Sequence, residues 1–435
     1  MIGGRSARRR LPDLPTRVAM LSLHTSPLTQ PGTGDAGGMN VYVWEVSRRL
    51  AAAGVAVEVF TRATDSRQPA VEQVAERLTV RHIVAGPFQG LRKEDLPGQL
   101  CALSAGVLRA EASRPEGWFD LLHSHYWLSG QVGWVATERW HVPLVHSMHT
   151  LAKVKNRDRG AHDAPEPESR IIGEQQVVDV ADALIANTEA EADDLVMLYD
   201  ADPDRVAVVH PGVDLDVFTP GDSHAARTQL GLDPAAPLLV FVGRLQPLKA
   251  PDLLLAAAAR MPAPPDGPAP QVVICGGPSG NGSDMPERLR AQAAELGIAD
   301  RTTFLPPLAK HDLVALFRAA TVVVVPSYSE SFGLVAAEAQ ACGTPVVAAA
   351  VGGLRTVVAD GRSGLLVPSH AADDWAAALA RVTSSPGLRA SLAAGARPQA
   401  ERFGWEATTA ETLRTYAAVR SRHRSLTRQD DRRMA

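Results

Sequence analysis

The sequence predicts an α/β protein of two doubly wound parallel-sheet domains that face each other across a cleft. Three observations predict it. Short Val- and Leu-rich runs alternate with amphipathic helices along nearly the whole chain, the pattern of parallel strands covered on both faces. A segment from 211 to about 235, broken by Pro211, Gly212, Pro220, Gly221 and Pro234, separates two such series. With 435 residues, each series is long enough to bury its own core.

The first series spans 17–215. A strand at 17–23 runs into a Gly-rich loop and a helix at about 40–53. Strands at 56–62 and 78–85 and a helix at 96–113 follow. Next come a strand at 120–124, a helix at 130–140 and a strand at 143–147. The charged, Pro-rich stretch 153–168 reads as a loop over the site, before a helix at 169–180, a strand at 183–187, a helix at 189–199 and a strand at 205–210. The second series, 216–404, has strands at 238–242, 271–275, 321–325 and 345–348. Helices fall near 252–261, 285–296, 311–319, 333–341 and 373–383. A final helix at 405–420 is placed to return to the first domain, and the Arg-rich ends 1–16 and 421–435 read as disordered tails.

Composition narrows the function. The hydrophobic share of 45%, charged share of 21% and net charge of -4 are ordinary for a globular protein and give no general pull toward nucleic acid. Cys101, Cys275 and Cys342 lie far apart, which speaks against a disulfide framework and for a reducing, cytoplasmic setting. No apolar run follows the N-terminal arginines as in a secretory signal, and no run reaches the ~20 residues of a membrane span.

Chemistry concentrates where strands end. Glu330-Ser-Phe-Gly-Leu-Val-Ala-Ala-Glu338 follows the run Thr321-Val-Val-Val-Val-Pro-Ser327. In a parallel sheet this crossing from strand to helix is where ligands bind. Free N–H groups at the helix start suit a diphosphate. Carboxylates there would repel phosphate and suit hydroxyl donors, so the pair points to a nucleotide sugar. Val242-Gly-Arg-Leu-Gln-Pro-Leu-Lys249 puts Arg244 and Lys249 past another strand end, where a fork and a point charge suit phosphate oxygens. Gly32-Thr-Gly-Asp-Ala-Gly-Gly-Met-Asn40 lets backbone approach a ligand, with Asp35 and Asn40 as hydroxyl-binding groups. His123-Ser-His-Tyr-Trp127 and His146-Ser-Met-His-Thr150 bring four histidines to one mouth, for a metal or, better suited, for sugar hydroxyls. Lys93, Lys153, Lys155, Arg157 and Arg170 flank that mouth as a cationic pocket or a solvated charged face. Asp200-Ala-Asp202 reads as a surface turn beside Pro203, not a metal-binding triplet.

Together these motifs resemble the family-4 retaining glycosyltransferases of GT-B fold, whose two domains are Rossmann-like. The stretches Leu23-His-Thr-Ser-Pro-Leu28, Gly32 to Tyr42, His123 to Trp127 and His149-Thr-Leu-Ala-Lys153 narrow the likeness. They are similar to the branch that transfers N-acetylglucosamine to an inositol phosphate at the opening of mycothiol biosynthesis. The resemblance implies UDP-GlcNAc as donor, held by Gln30, Pro31, Gly38, Arg244, Lys249, Leu308, Glu330 and Glu338. It implies an inositol phosphate acceptor among His24, Asp35, Ala36, Gly37, Gly38, Met39, Asn40, Lys93, Tyr126, Thr150 and Arg170. Catalysis would rest on Arg244, Lys249, Glu330 and His149, the last through its main-chain carbonyl. It further implies a homodimer, no organic cofactor, and a structural Mg2+ held by main-chain oxygens around Phe317, Arg318, Ala320 and Thr344. Competing readings are a transferase of the same fold with a different acceptor, of the phosphatidylinositol mannosyltransferase or sucrose-phosphate synthase type, an NAD-dependent oxidoreductase, and a non-catalytic sugar-phosphate binder. No convincing membrane-binding face supports the lipid acceptor, and the missing GxGxxG and the paired glutamates count against the oxidoreductase.

Overall fold

The computed structural model describes residues 13–158, 165–262, 267–278 and 284–434. Two parallel sheets face each other. The first contains β1 (Arg17–Leu21), β2 (Ala56–Arg62), β3 (Val71–Ala75), β4 (Leu78–Ile83), β5 (Leu121–His125), β6 (Leu144–Ser147), β7 (Ala183–Ala186) and β8 (Val206–Val208). Their order is β3-β4-β2-β1-β5-β6-β7-β8, with only β3 antiparallel. Its helices are α1 (Gly38–Ala52), α2 (Leu100–Ala112), α3 (Trp127–Trp140), α4 (Ala152–Arg157), α5 (Glu168–Val180) and α6 (Glu189–Tyr199).

The second sheet contains β9 (Leu238–Val242), β10 (Gln271–Cys275), β11 (Thr302–Leu305), β12 (Val322–Val325), β13 (Val346–Ala349) and β14 (Gly364–Val367), ordered β11-β10-β9-β12-β13-β14. Around it lie α7 (Ser223–Leu230), α8 (Pro251–Arg260), α9 (Met285–Glu295), α10 (Lys310–Ala319), α11 (Leu334–Ala341), α12 (Leu354–Val357), α13 (Ala372–Ser384) and α14 (Pro386–Ala400). The last helix, α15, runs Trp405–Met434.

Strand order locates the site. Each sheet reverses direction of growth once, at β1/β5 and at β9/β12. The loops leaving those four strands open a crevice at their carboxyl ends, where ligands of doubly wound sheets bind. The central strands read as unbroken Val/Leu runs because both faces are covered; Val322, Val323 and Val324 are fully buried.

The structure departs from the sequence reading in several places. Edge strands β3, β11 and β14 were not expected; β3 is largely exposed, so it lacks an apolar run. Helix α14 was not expected either, and it carries Pro398 inside. Helix α4 occupies the start of the stretch read as a loop over the site, and 159–164 lie outside the described residues.

The tails also differ. Helix α15 continues through 421–434 instead of ending at 420. Residues 13–16 are held as well: the Thr16 N–H and hydroxyl donate to Asp120, and Arg420 donates to the Asp13 carbonyl at 2.9 Å. Residues 1–12 of the expected tail lie outside the described residues. As expected, α15 returns to the first domain, burying Trp405, Tyr416 and Val419 against β1, β2 and α1. It leaves the second domain beside the linker: the Val213 N–H donates to the Phe403 carbonyl at 2.8 Å, and the Thr408 hydroxyl donates to the His210 carbonyl at 2.8 Å.

Candidate active site

The crevice holds a cavity of 450 Å³ between the domains. On the second domain's wall, β9 ends at Val242; the loop that follows presents Arg244, and the turn Pro247–Lys249 presents Lys249. Lys249 Nζ donates to Glu330, whose Oε2 also accepts from the Ser327 hydroxyl at 3.3 Å. Burial lowers the Arg244 pKa, opposed by Asp35 and Glu330. Gly353 N–H binds the Glu330 carbonyl at 2.8 Å. A Cβ on Gly352 would stand 2.2 Å from that oxygen, so the small residues after β13 let the two loops nest.

Two helix starts meet here. Gly333, at φ 107°, opens α11, and Gly38 opens α1 on the other domain. A Cβ on Gly38 would lie 3.3 Å from Leu334, and one on Gly37 would lie 3.2 Å from Arg244 Nε. The glycines thus permit close approach between domains, and both helix N-termini border the cavity. Gln30, Pro31 and Leu308 line its far end, where Gln30 Nε2 donates to the Pro307 carbonyl at 3.4 Å.

Glu338 lines the cavity from α11. Desolvation pushes its carboxyl up to about 8, with Lys310 opposing and Glu45 and Asp214 reinforcing. At neutral pH Glu338 is therefore held mostly in its protonated form. Donors such as ribose hydroxyls favour the carboxylate. Binding of a hydroxyl-rich ligand against Glu338 at pH 7 should accordingly release up to about one proton. Release should fade as pH rises through about 8, where the free group has already ionised. Calorimetry in buffers of different ionisation enthalpy would read this, and Glu338→Gln should abolish it; buffer-independent enthalpy in the native protein would refute it.

The first domain supplies the opposite wall. The His24 and Tyr126 rings pack at a 44° tilt with centres 4.5 Å apart, and Lys93 Nζ lies 4.5 Å from the centre of the Tyr126 ring. Tyr126 sits at φ 69°, turning the chain from β5 into α3. Arg170 donates to the Thr150 hydroxyl at 2.9 Å and the Thr150 carbonyl at 3.2 Å. Asp35, Gly37, Gly38 and Met39 also border the cavity.

Several expected contacts lie elsewhere. Ala36 and Asn40 are buried and do not line the cavity. Asn40 ties the glycine loop down instead, accepting from Gly37 N–H at 2.9 Å and donating to Thr25 and Ser26. Arg170 is only 4% exposed and sits behind the lining, paired with Glu166 and Glu174. Lys153 turns away onto Tyr199 and the Leu198 carbonyl.

His123 and His146 are not at the mouth but under it. His123 binds the Tyr416 hydroxyl at 2.7 Å and the Ser147 hydroxyl at 2.9 Å, while His146 binds Ser124 at 2.7 Å. His149 does line the cavity; its ring meets His125 at 2.8 Å, and burial holds its pKa at about 3. Its backbone is left-handed, at φ 61°, and its carbonyl accepts from the Ser331 hydroxyl across the cleft. Asp200 and Asp202 cap a helix end and a short turn, as a surface turn should.

Sequence reading missed groups that meet only in three dimensions. Lys310 bridges Glu45 at 3.3 Å and Asp214 at 3.6 Å, joining the domains below Glu338. Asn187 and Glu191 border the cavity with one buried oxygen each unpaired. Phe317, Arg318 and Ala320 end α10 at its negative pole, and the Thr344 hydroxyl donates to the Phe317 carbonyl at 2.7 Å. Oxygens at a helix's negative end suit a hard cation such as magnesium, and here the Phe317 carbonyl is shared by the Thr344 hydroxyl and, at 3.2 Å, the Ala320 N–H. None of the four lines the cavity.

Comparison with known proteins agrees with this geometry. Residues 37–212 match the glycosyl transferase 4-like domain and 222–399 match glycosyl transferases group 1. Sucrose-phosphate synthase from Thermosynechococcus elongatus superposes with a TM-score of 0.83 at 33% identity, covering 95% of this chain and 98% of that one. HepE from Anabaena, solved with UDP and glucose, superposes with a TM-score of 0.75 over 93% of this chain and 100% of that one, and at 22% identity shares the fold. Fold and site together define a two-domain GT-B glycosyltransferase.

The sequence relatives are more specific. The D-inositol 3-phosphate glycosyltransferase of Stackebrandtia nassauensis is 61% identical over 92% of this chain and 91% of its own. That of Mycobacteroides abscessus is 57% identical over 97% and 94%. The chain belongs to the family of D-inositol 3-phosphate glycosyltransferases.

Proposed function

We propose that the enzyme transfers N-acetylglucosamine from UDP-GlcNAc to 1D-myo-inositol 3-phosphate with retention, giving GlcNAc-inositol phosphate and UDP, the opening step of mycothiol biosynthesis. The observation that carries this reading is a pair of separate cationic sites on opposite walls of one crevice. Arg244 and Lys249 lie on one wall; Lys93 and Arg170 flank Tyr126 on the other. A nucleotide sugar and a phosphorylated acceptor need two such sites.

Arg244, Lys249 and the start of α11 stabilise the charge that grows on the departing diphosphate. Glu330 accepts from hydroxyls of the donor sugar, and Glu338 from those of the ribose. The acceptor hydroxyl bonds to the anomeric carbon on the face that UDP leaves. Its proton passes to the leaving phosphate oxygen as the carbon–oxygen bond to UDP breaks. His149 steadies the positive sugar centre through its carbonyl. Domain contact at Ser331 and Lys310 excludes water during transfer. Phe317, Arg318, Ala320 and Thr344 would hold a structural magnesium ion, which supplies charge neutralisation at the helix end and no chemistry at the sugar. A homodimer is part of the same proposal, on family likeness.

The test is UDP release from UDP-GlcNAc with and without inositol 3-phosphate, with product mass confirming transfer. Acceptor-dependent release is expected. Release only with a different acceptor would overturn the acceptor assignment and leave the donor site standing.

A further inference from the structure

The cationic group behind Tyr126 is neutralised unevenly. Arg170 binds two carboxylates, Glu174 at 2.8 Å and Glu166 at 2.7 Å. Glu174 is a structural partner: fully buried, it also accepts from Ala152 N–H at 2.9 Å and from the Tyr199 hydroxyl. It already balances Arg170. Glu166 is different. Its side chain keeps 20% of its exposure and spans two cations, Lys155 and Arg170. Lys155 itself lines the cavity, and Lys93 and Arg170 act on its charge. Burial works against ionisation of Glu166, yet Arg170 and Lys155 hold its carboxyl at about 2.

Glu166 and Arg170 lie just behind the cavity lining and Lys155 lies in it; a carboxylate clamped there between the two cations does what a phosphate reaching in from the cavity would do. Lys93, Lys155 and Arg170 carry three positive charges against two negative ones from Glu166 and Glu174. Withdrawing Glu166 leaves a surplus of two, the complement of a phosphate dianion. Glu166 is held in place by backbone contacts with one side chain: its N–H donates to Asn156 Oδ1 at 2.7 Å, and its carbonyl accepts from Asn156 Nδ2 at 3.4 Å.

We infer that Glu166 is a specificity residue whose carboxylate stands in for the acceptor's phosphate in the empty site, so that only a phosphorylated acceptor displaces it. The inference rests on the acceptor reading above. An unphosphorylated polyol brings no charge to exchange for Glu166 and leaves Lys155 and Arg170 occupied. A phosphate repairs both pairs as the carboxylate swings to solvent, and its charge is spread over oxygens that both cations can share.

The experiment uses the full-length enzyme and inorganic phosphate as probe, with binding read by calorimetry without donor. Glu166→Gln keeps the shape and removes the charge. It should bind phosphate about tenfold tighter, the order of one screened charge interaction. The KM for inositol 3-phosphate should fall in parallel, with the KM for UDP-GlcNAc holding. A raised acceptor KM with unchanged phosphate binding would overturn the inference and make Glu166 a mere prop for Arg170. Asn156→Ala is a second route, freeing Glu166 without touching a charge, and should shift phosphate affinity the same way by a smaller factor; no shift would also count against it. Phosphate affinity is measured without any sugar. If the native enzyme glycosylates a different phosphorylated alcohol, the role of Glu166 survives and the identity of the acceptor falls.

Discussion

Replacing Lys249 with alanine is expected to lower turnover by about a thousandfold while leaving the thermal midpoint nearly unmoved. The side chain sits on a turn at the cleft wall, is partly exposed and pairs with Glu330, so its loss leaves the core intact. What is lost is a fixed positive charge where the diphosphate departs. Losing one preorganised group of this kind costs about 10²–10³ in kcat, and the Lys249 charge has a second task. Without it the Glu330 side chain loses its paired cation beside the leaving group and keeps only the more distant field of Arg244, which opposes charge development. Lys249→Arg should restore part of the loss, because the charge returns in a bulkier, planar form. Steady-state UDP release and calorimetric melting check both halves. Turnover near the native value would remove Lys249 from the mechanism.

The largest expected effect on stability is at Trp405. The indole is 1% exposed and fills the joint between α15, α1 and the linker. Its ring lies 5.9 Å from that of Tyr42, with Arg49 over it at 5.8 Å. Gly212 packs so closely that a Cβ there would stand 2.5 Å from the Trp405 nitrogen. Trp405→Ala leaves a void that this backbone cannot collapse into. A cost of about 3–5 kcal/mol follows, lowering the midpoint by about 10 °C. Activity should fall too, since Tyr42 meets the His149 ring edge-on at 5.2 Å. A midpoint within about 2 °C of native would mean that α15 adds little to the fold, against the ordinary scale of such losses.

What the sequence revealed follows from how local each signal is. Buried parallel strands such as Leu238–Val242 and Val322–Val325 announce themselves as apolar runs. Edge strands do not: Val71–Ala75 has one covered face at most and reads as polar. The strand-end motifs put Arg244, Lys249, Glu330, Glu338, His24, Lys93 and Tyr126 around one cavity, because strand ends are fixed by the sheets.

The misplaced residues depended on partners remote in sequence. His123 was read as facing the mouth, yet Tyr416, 293 residues away, takes its ring nitrogen. Asn40 has the chemistry to bind hydroxyls but spends it on its own loop. Glu166 lay within a stretch without legible pattern, and its meaning appears only once Lys155 and Arg170 stand on either side. The link from Lys310 to Glu45 spans 265 residues and has no local signature.

The polypeptide passes between the domains twice, and the passages are bonded side by side through Val213 and Phe403. Such a joint behaves like a door on two adjacent pins. Twisting one domain against the other would strain the Val213 bond and press Gly212 toward Trp405. Any change in the angle between the two half-sites must bend both passages together, and Pro211 and Trp405 carry that joint up to the wall of the cavity itself.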